Sequence, residues 1–103
     1  LYFSAAPYRY FGAYYTKLPF PGGDIEKSKA YFDKAIAADP NYLATRVLFA
    51  ELNATKSGDK EAFRKHLQHV IDYDLDKAPE LRPENTFEQR KAQQLMANID
   101  DLF

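Results

Sequence analysis

The chain has 103 residues, a formal net charge of −1, 28% charged residues and no cysteine. This near-neutral balance gives no electrostatic basis for binding nucleic acid or an anionic membrane, and the lack of cysteine excludes disulfides and thiol chemistry. No apolar run approaches the roughly 20 residues that a membrane-spanning helix needs. We therefore expect one domain over residues 1–103.

The first part of the chain predicts two helices separated by a firm stop. The first helix covers about 4–17. The stretch LPFPGG at 18–23 then combines two prolines, which lack a backbone donor, with two glycines, which allow positive φ. Asp24 is a good N-cap for the second helix. We expect that helix to end near Asp39, because Pro40 disfavours helical geometry in the residue before it.

The remainder predicts three further helices. A third, about 42–55, is apolar over a wide arc, as expected of a helix that packs on more than one side. Gly58 ends it, and Asp59 can cap a fourth helix. Residues 75–84 carry two prolines and are predicted to be extended or irregular. The sequence at 86–89, TFEQ, has the form of a capping box, which predicts that the last helix begins there. No strand pattern occurs, so the predicted fold class is all-α.

The helices form a repeat. Residues 24–38 superimpose on 59–73 at an offset of 35 residues, and a helix–turn–helix unit of about 34 residues is the tetratricopeptide pattern. In that pattern Gly12 allows the two helices of a pair to approach closely. The predicted organisation is repeat 1 at about 5–40, repeat 2 at about 41–75, a linker at 75–85 and a capping helix at 86–103. Four apolar residues of the last helix are expected to pack on the preceding pair: Leu95, Met96, Ile99 and Leu102.

Aromatic residues are concentrated in the first helix. Tyr8, Phe11 and Tyr15 share one face, and we expect them to fill the joint between paired helices. Tyr10 and Tyr14 lie on another face, one turn apart. Two interpretations stay open for this pair: contact with a preceding repeat, or a surface for a ligand or partner.

Two further sets of residues are candidates for a binding surface. Phe20, at the tip of the enlarged turn, either contacts a partner chain or folds back as a hydrophobic lid. The concave surface of a tetratricopeptide module comes from the first helix of each pair, which places Arg9 and Glu51 on it. The residues expected along this concave line are Arg9, Ala13, Thr16, Val47, Glu51 and Ala54.

Catalytic and metal chemistry have little support. His66 and His69 are spaced i, i+3, but we expect both to face solvent, away from the apolar side of their helix. The acidic run at 72–76 resembles the start of a calcium loop but lacks the required glycine and glutamate, with Lys77 and Pro83 in their places. No serine lies beside a histidine in a recognisable motif. We predict no enzyme activity, no metal and no cofactor.

Three stretches carry a resemblance to one family. They are YFGAYYTKLPFPGGDIEKSKAYFDKAI at 10–36, GDKEAFRKHLQHVI at 58–71 and PELRPENTFEQRKAQQLMANIDDLF at 79–103. The last is the most specific, with a proline-rich link followed by Glu84-Asn85 and a closing IDDLF. Together they resemble the C-terminal part of the T component of tripartite ATP-independent periplasmic (TRAP) transporters.

The resemblance implies a compact bundle of tetratricopeptide-like helix pairs within a longer, lipid-anchored periplasmic protein. It also implies a non-enzymatic accessory role: association with the substrate-binding component and help in delivering a ligand, a small apolar compound or an organic acid, to the permease. A homo-oligomer is left open, and nucleic acid is not an expected partner. The alternative is a general tetratricopeptide scaffold for protein–protein interaction.

Overall fold

The computed structural model describes residues 2–17 and 24–103, with side chains from Ala6 onward. Within these ranges the chain is helical and contains no strand, so the all-α prediction is confirmed. The longer helices are α1 (Tyr2–Lys17), α2 (Ile25–Ala38), α5 (Lys60–Asp72) and α6 (Arg82–Ala97). The shorter ones are α3 (Ala44–Leu48), α4 (Thr55–Ser57) and α7 (Ile99–Leu102). The tetratricopeptide assignment and the repeat boundaries stay predictions.

Helices α1 and α2 form the closest pair. At their crossing the backbone of Gly12 lies against the buried ring of Phe32, and a Cβ added to Gly12 would be 2.8 Å from Phe32 Cδ2. The Ser28 hydroxyl donates a 2.6 Å hydrogen bond to the Gly12 carbonyl. Asp24 caps α2 as predicted, because its side chain accepts from the Lys27 amide. The expected close approach at Gly12 is therefore confirmed.

The third predicted helix has a π-helical centre. Residues Phe49–Ala54 form a π-helix between α3 and α4, which the sequence pattern did not indicate. Its Asn53 is buried and donates to the Ile25 carbonyl at 3.1 Å and to the Ser28 hydroxyl at 2.9 Å. A polar chain thus runs from Asn53 through Ser28 to the carbonyl of Gly12 and joins three elements. Gly58 ends α4 with a φ of 73°, a left-handed conformation that favours glycine.

Helix α5 supplies the centre of the core. Asp59 caps it by accepting from the Ala62 amide, as predicted. Phe63, Leu67 and Val70, on the apolar side of α5, are fully buried. The core cluster gathers side chains from α2, the middle helices, α5 and α6: Phe32, Leu43, Val47, Phe49, Ala50, Ala54, Phe63, Leu67, Val70 and Ala92.

The start of the last long helix was predicted wrongly. After two short 3₁₀ turns, Leu75–Lys77 and Pro79–Leu81, α6 begins at Arg82, four residues before the expected capping box. The Thr86 hydroxyl donates to the Arg82 carbonyl, which is a bond inside the helix and not a cap. The Gln89 amide reaches α5, donating to the carbonyls of Val70 and Tyr73 at 3.1 and 2.9 Å. The capping-box pattern was misleading because the Gln89 side chain binds the end of α5 and does not cap the start of α6.

Helix α6 is fixed at both ends. At its start the buried Asn85 side chain accepts from the Leu43 amide and donates to the Asn41 carbonyl. Towards its end, the predicted residues Leu95, Met96 and Ile99 do pack against the core. The chain breaks at Asn98 before α7, which leaves Leu102 exposed, so the prediction that it packs was wrong. Phe103 instead lies against Phe63, with ring centroids 5.0 Å apart.

Among the described helices, none combines the length and apolar character that crossing a bilayer requires.

Candidate functional site

The outer tyrosine pair, Tyr10 and Tyr14, projects from α1 into solvent. The side chains are 64% and 42% exposed. One turn apart, they stack with ring centroids 6.1 Å apart and an interplanar angle of 15°. Since Gly12 defines the side of α1 that faces the core, the helical period of 3.6 residues directs this pair outward. The pair forms a preorganised and accessible aromatic surface.

Three further rings extend the outer pair across to α2. Phe11 contacts Tyr10 at 5.4 Å and Tyr31 of α2 at 5.3 Å, while Tyr15 stacks on Tyr31 at 5.8 Å with parallel rings. Tyr14 and Tyr15 make an edge contact at 5.4 Å, which joins the two rows. Tyr8, Phe11 and Tyr15 were expected to fill the joint between helices, but Phe11 remains 39% exposed. We call this surface the aromatic face: Tyr10, Phe11, Tyr14, Tyr15 and Tyr31.

Lysines border the aromatic face. Lys27 Nζ lies 4.8 Å from the centroid of Tyr15, and Lys34 Nζ lies 5.5 Å from that of Tyr31 and 6.0 Å from that of Tyr8. The pKa of Lys27 is raised above its usual value by its hydrogen bond and charge interaction with Tyr15. On the other border, Lys17 lines an open groove of about 370 Å³ together with Tyr10, Ala13 and Tyr14.

Arg9 and Glu51, also predicted for the site, make contacts within the fold. The Arg9 guanidinium lies 4.5 Å from the ring centroid of Tyr42, and its buried Nη1 has no hydrogen-bond partner among the described residues. Glu51 forms a 3.1 Å ion pair with Lys91 of α6. Half of the residues expected along the concave surface are buried, namely Thr16, Val47 and Ala54, so the prediction was wrong for these three. Packing between helices covers these side chains.

His66 was predicted to face solvent, and that prediction was wrong. Its ring packs on Phe49 with centroids 4.7 Å apart, and Nδ1 lies 3.0 Å from Nη1 of Arg46. Burial, followed by the positive charge of Arg46, lowers the pKa of His66 to about 4. His69 is exposed on the next turn, so the two imidazoles do not converge. Within the described ranges no three His, Asp or Glu side chains are grouped to hold a metal.

The acidic run at 72–76 is engaged in local contacts. Asp72 accepts from Gln68, Asp74 accepts from the Asp76 amide, and Asp76 pairs with Arg82. These bonds shape the turn between α5 and α6.

Comparison with known families decides between a general scaffold and a transport component. The family model of the TRAP transporter T-component matches residues 1–103, the whole chain. The chain belongs to that family. This assigns it an accessory role in a TRAP transporter and confirms the family resemblance of the sequence. A search of curated proteins finds no match.

In this T-component family member the structure groups only part of the predicted site. Tyr10 and Tyr14 lie together, whereas Arg9 and Glu51 contact other elements of the fold, and Phe20 lies outside the described residues. The sequence reasoning missed Tyr31 and its neighbours Lys27 and Lys34. The sequence did contain a signal for them. Lys27 lies four residues before Tyr31 and Lys34 three residues after it, a spacing that places all three on one side of α2.

Proposed function

We propose that this T-component is a non-enzymatic, periplasmic accessory protein that binds the substrate-binding component of its TRAP transporter through the aromatic face. The family match over the whole chain supports the transport role. The exposed, stacked pair Tyr10 and Tyr14 is the observation that supports the location of the interface.

The chemistry of the face suits protein recognition. Tyrosine offers a large apolar ring and a polar hydroxyl at low conformational cost, and aromatic residues are enriched at protein interfaces. Three neighbouring aromatic side chains, Tyr10, Phe11 and Tyr14, are each more than a third exposed. Contiguous exposed apolar surface of this kind commonly marks an interaction site.

Other properties are proposed on family membership alone. They are a lipid anchor in a preceding segment and a ligand that is a small apolar compound or an organic acid. Phe20, in the predicted turn at 18–23, stays a predicted partner contact, with a hydrophobic lid as the alternative. We do not assign partner contacts to Arg9 or Glu51, since Tyr42 and Lys91 already engage them.

Calorimetric titration with the substrate-binding component encoded beside this transporter tests the proposal. We expect saturable binding with a dissociation constant of about 1–10 μM or lower, a range typical of a specific but reversible contact. A substrate-binding component from an unrelated TRAP system serves as the control. Equal binding of both proteins would support a general scaffold instead, and no binding at the highest soluble concentration would contradict the proposal.

A further inference from the structure

The lysines beside the aromatic face form no ion pair in the part of the chain that the structure describes. The described residues contain five ion pairs, which engage Lys29, Lys60, Arg64, Arg82 and Lys91. Lys17, Lys27 and Lys34 occur in none of them. Helix α1, residues 2–17, contains no aspartate or glutamate at all.

Tyrosine rings hold two of these lysines in place. Lys27 lies over Tyr15, and Lys34 lies over Tyr31 with Tyr8 nearby. Such cation–π contacts restrict the long side chains without neutralising their charge. The carboxylate nearest in sequence to Lys27 is that of Glu26, and the two form no ion pair in the structure. The next nearest is Asp24, whose Oδ1 accepts the Lys27 amide as the N-cap of α2. The two ammonium groups are therefore preorganised positive charges that form no ion pair with a carboxylate of the described residues.

The dimensions of this surface favour a macromolecular occupant. Lys27 and Lys34 are two helical turns apart, about 10 Å along the axis of α2. Between them lies an open groove of about 180 Å³, lined by Ala30 and Tyr31 as well. A pocket for a small molecule encloses most of its ligand, whereas this groove and the one beside Lys17 are both open to solvent. A protein segment can cover both grooves at once.

We propose that the lysine-bordered aromatic face recognises an acidic segment of the partner protein, with an apolar or aromatic side chain between its carboxylates. The carboxylates pair with Lys27 and Lys34, and the apolar side chain packs on Phe11, Tyr15 and Tyr31. This inference rests on the proposed association with the substrate-binding component and specifies the chemistry of the partner's surface. Complementary charge of this kind mainly sets the association rate and the choice of partner.

The double variant Lys27→Glu/Lys34→Glu tests the inference in the intact chain. Glutamate at residue 27 occupies the third position of α2 behind the Asp24 cap, the place that a capping box prefers, so the fold should be preserved. A matched control, Lys65→Glu/Arg90→Glu, makes the same change in net charge at exposed positions of α5 and α6. The melting temperatures of both variants are measured first.

Calorimetry with the same substrate-binding component then gives the decisive comparison. We expect the Lys27→Glu/Lys34→Glu variant to bind about tenfold more weakly or worse, with the control within about twofold of wild type. Carbodiimide cross-linking of the wild-type complex, which joins lysine amines to carboxylates in contact, should link Lys27 or Lys34 to Asp or Glu of the partner. Raising the salt concentration should weaken wild-type binding more than that of the variant.

The outcomes separate this inference from the proposed function. If wild type binds the substrate-binding component and the Lys27→Glu/Lys34→Glu variant binds equally well, the inference is wrong and the proposed function stands. If wild type does not bind, the proposed function is wrong, and the inference, which rests on it, is wrong as well. Cross-links from Lys27 or Lys34 to a second copy of this chain, in place of the partner, would also overturn the inference.

Discussion

The backbone of Gly12 and the ring of Phe32 are in direct contact, and there is no space between them for a side chain. A Cβ on residue 12 would be 2.8–2.9 Å from three ring carbons of Phe32, which is itself fully buried. The contact fixes the crossing of α1 and α2, and thereby places Tyr31 against Phe11 and Tyr15. The aromatic face depends on this crossing.

The first prediction is that Gly12→Ala destabilises the protein. Overpacking a core typically costs about 1–3 kcal/mol, which exceeds the gain of about 1 kcal/mol from replacing glycine by alanine inside a helix. Urea unfolding measures the change in the free energy of unfolding. The control Ala37→Gly, on the exposed side of α2, measures how much the exchange of alanine and glycine alone changes helix stability in this protein. A stabilised Gly12→Ala variant would mean that α1 and α2 are farther apart than described.

Gly12 also shows which parts of the fold could be predicted from the sequence. Its helical spacing, the caps Asp24 and Asp59 and the stop at Gly58 follow local rules, and the structure confirms each of them. The π-helical centre of the third helix and the early start of α6 do not follow such rules. They depend on Asn53 reaching α2, on Asn85 reaching the turn before α3 and on Gln89 reaching α5.

The candidate site likewise has a part that could be predicted from the sequence and a part that could not. Helical phase was enough to separate Tyr10 and Tyr14 from the side of α1 that faces the core. The positions of Tyr31, Lys27 and Lys34 relative to α1 depend on how α2 crosses it, and a single sequence does not give that geometry. His66 was assigned to the solvent side because its own helix has a clear apolar face, yet Phe49 and Arg46 from the middle helices cover it.

The second prediction concerns the end of α5. Gln89→Ala removes two hydrogen bonds to the carbonyls of Val70 and Tyr73 and should destabilise the fold by about 1–2 kcal/mol. Gln93→Ala, an exposed glutamine on the same helix, is the matched control and should change stability little. Chemical unfolding of both variants checks this, and equal effects at the two positions would show that Gln89 does not cap α5.

The third prediction is a pH dependence of stability that arises from His66. Its pKa is about 4 in the folded protein, against the ordinary histidine value of 6.5 that applies to the solvated side chain of the unfolded chain. As the pH falls from 6.5 towards about 4, the unfolded chain therefore binds a proton that the folded protein does not, and stability decreases. Below about pH 4 both states are protonated, and the loss stops growing. The groups acting on His66 are Arg46, Lys65 and Lys29, which lower its pKa, and Asp33, which raises it.

The comparison of wild type with His66→Phe isolates this effect from the titration of carboxylates, which both proteins share. Urea unfolding across this pH range should show a smaller loss of stability for the variant, since phenylalanine can keep the contact with Phe49 without binding a proton. Parallel profiles for the two proteins above pH 4 would indicate that His66 titrates normally in the folded state.

The central claim is that this T-component binds the substrate-binding component through the outer tyrosine pair. The dissociation constant of that complex, compared between wild type and Tyr10→Ala/Tyr14→Ala, tests it most directly. Central aromatic residues commonly dominate an interface, so we expect binding to weaken by about tenfold or more. Phe87→Ala is the control, because Phe87 is 63% exposed but lies on α6, and it should leave the constant unchanged. Equal constants for wild type and the double variant, or an equally large loss for Phe87→Ala, would contradict the claim.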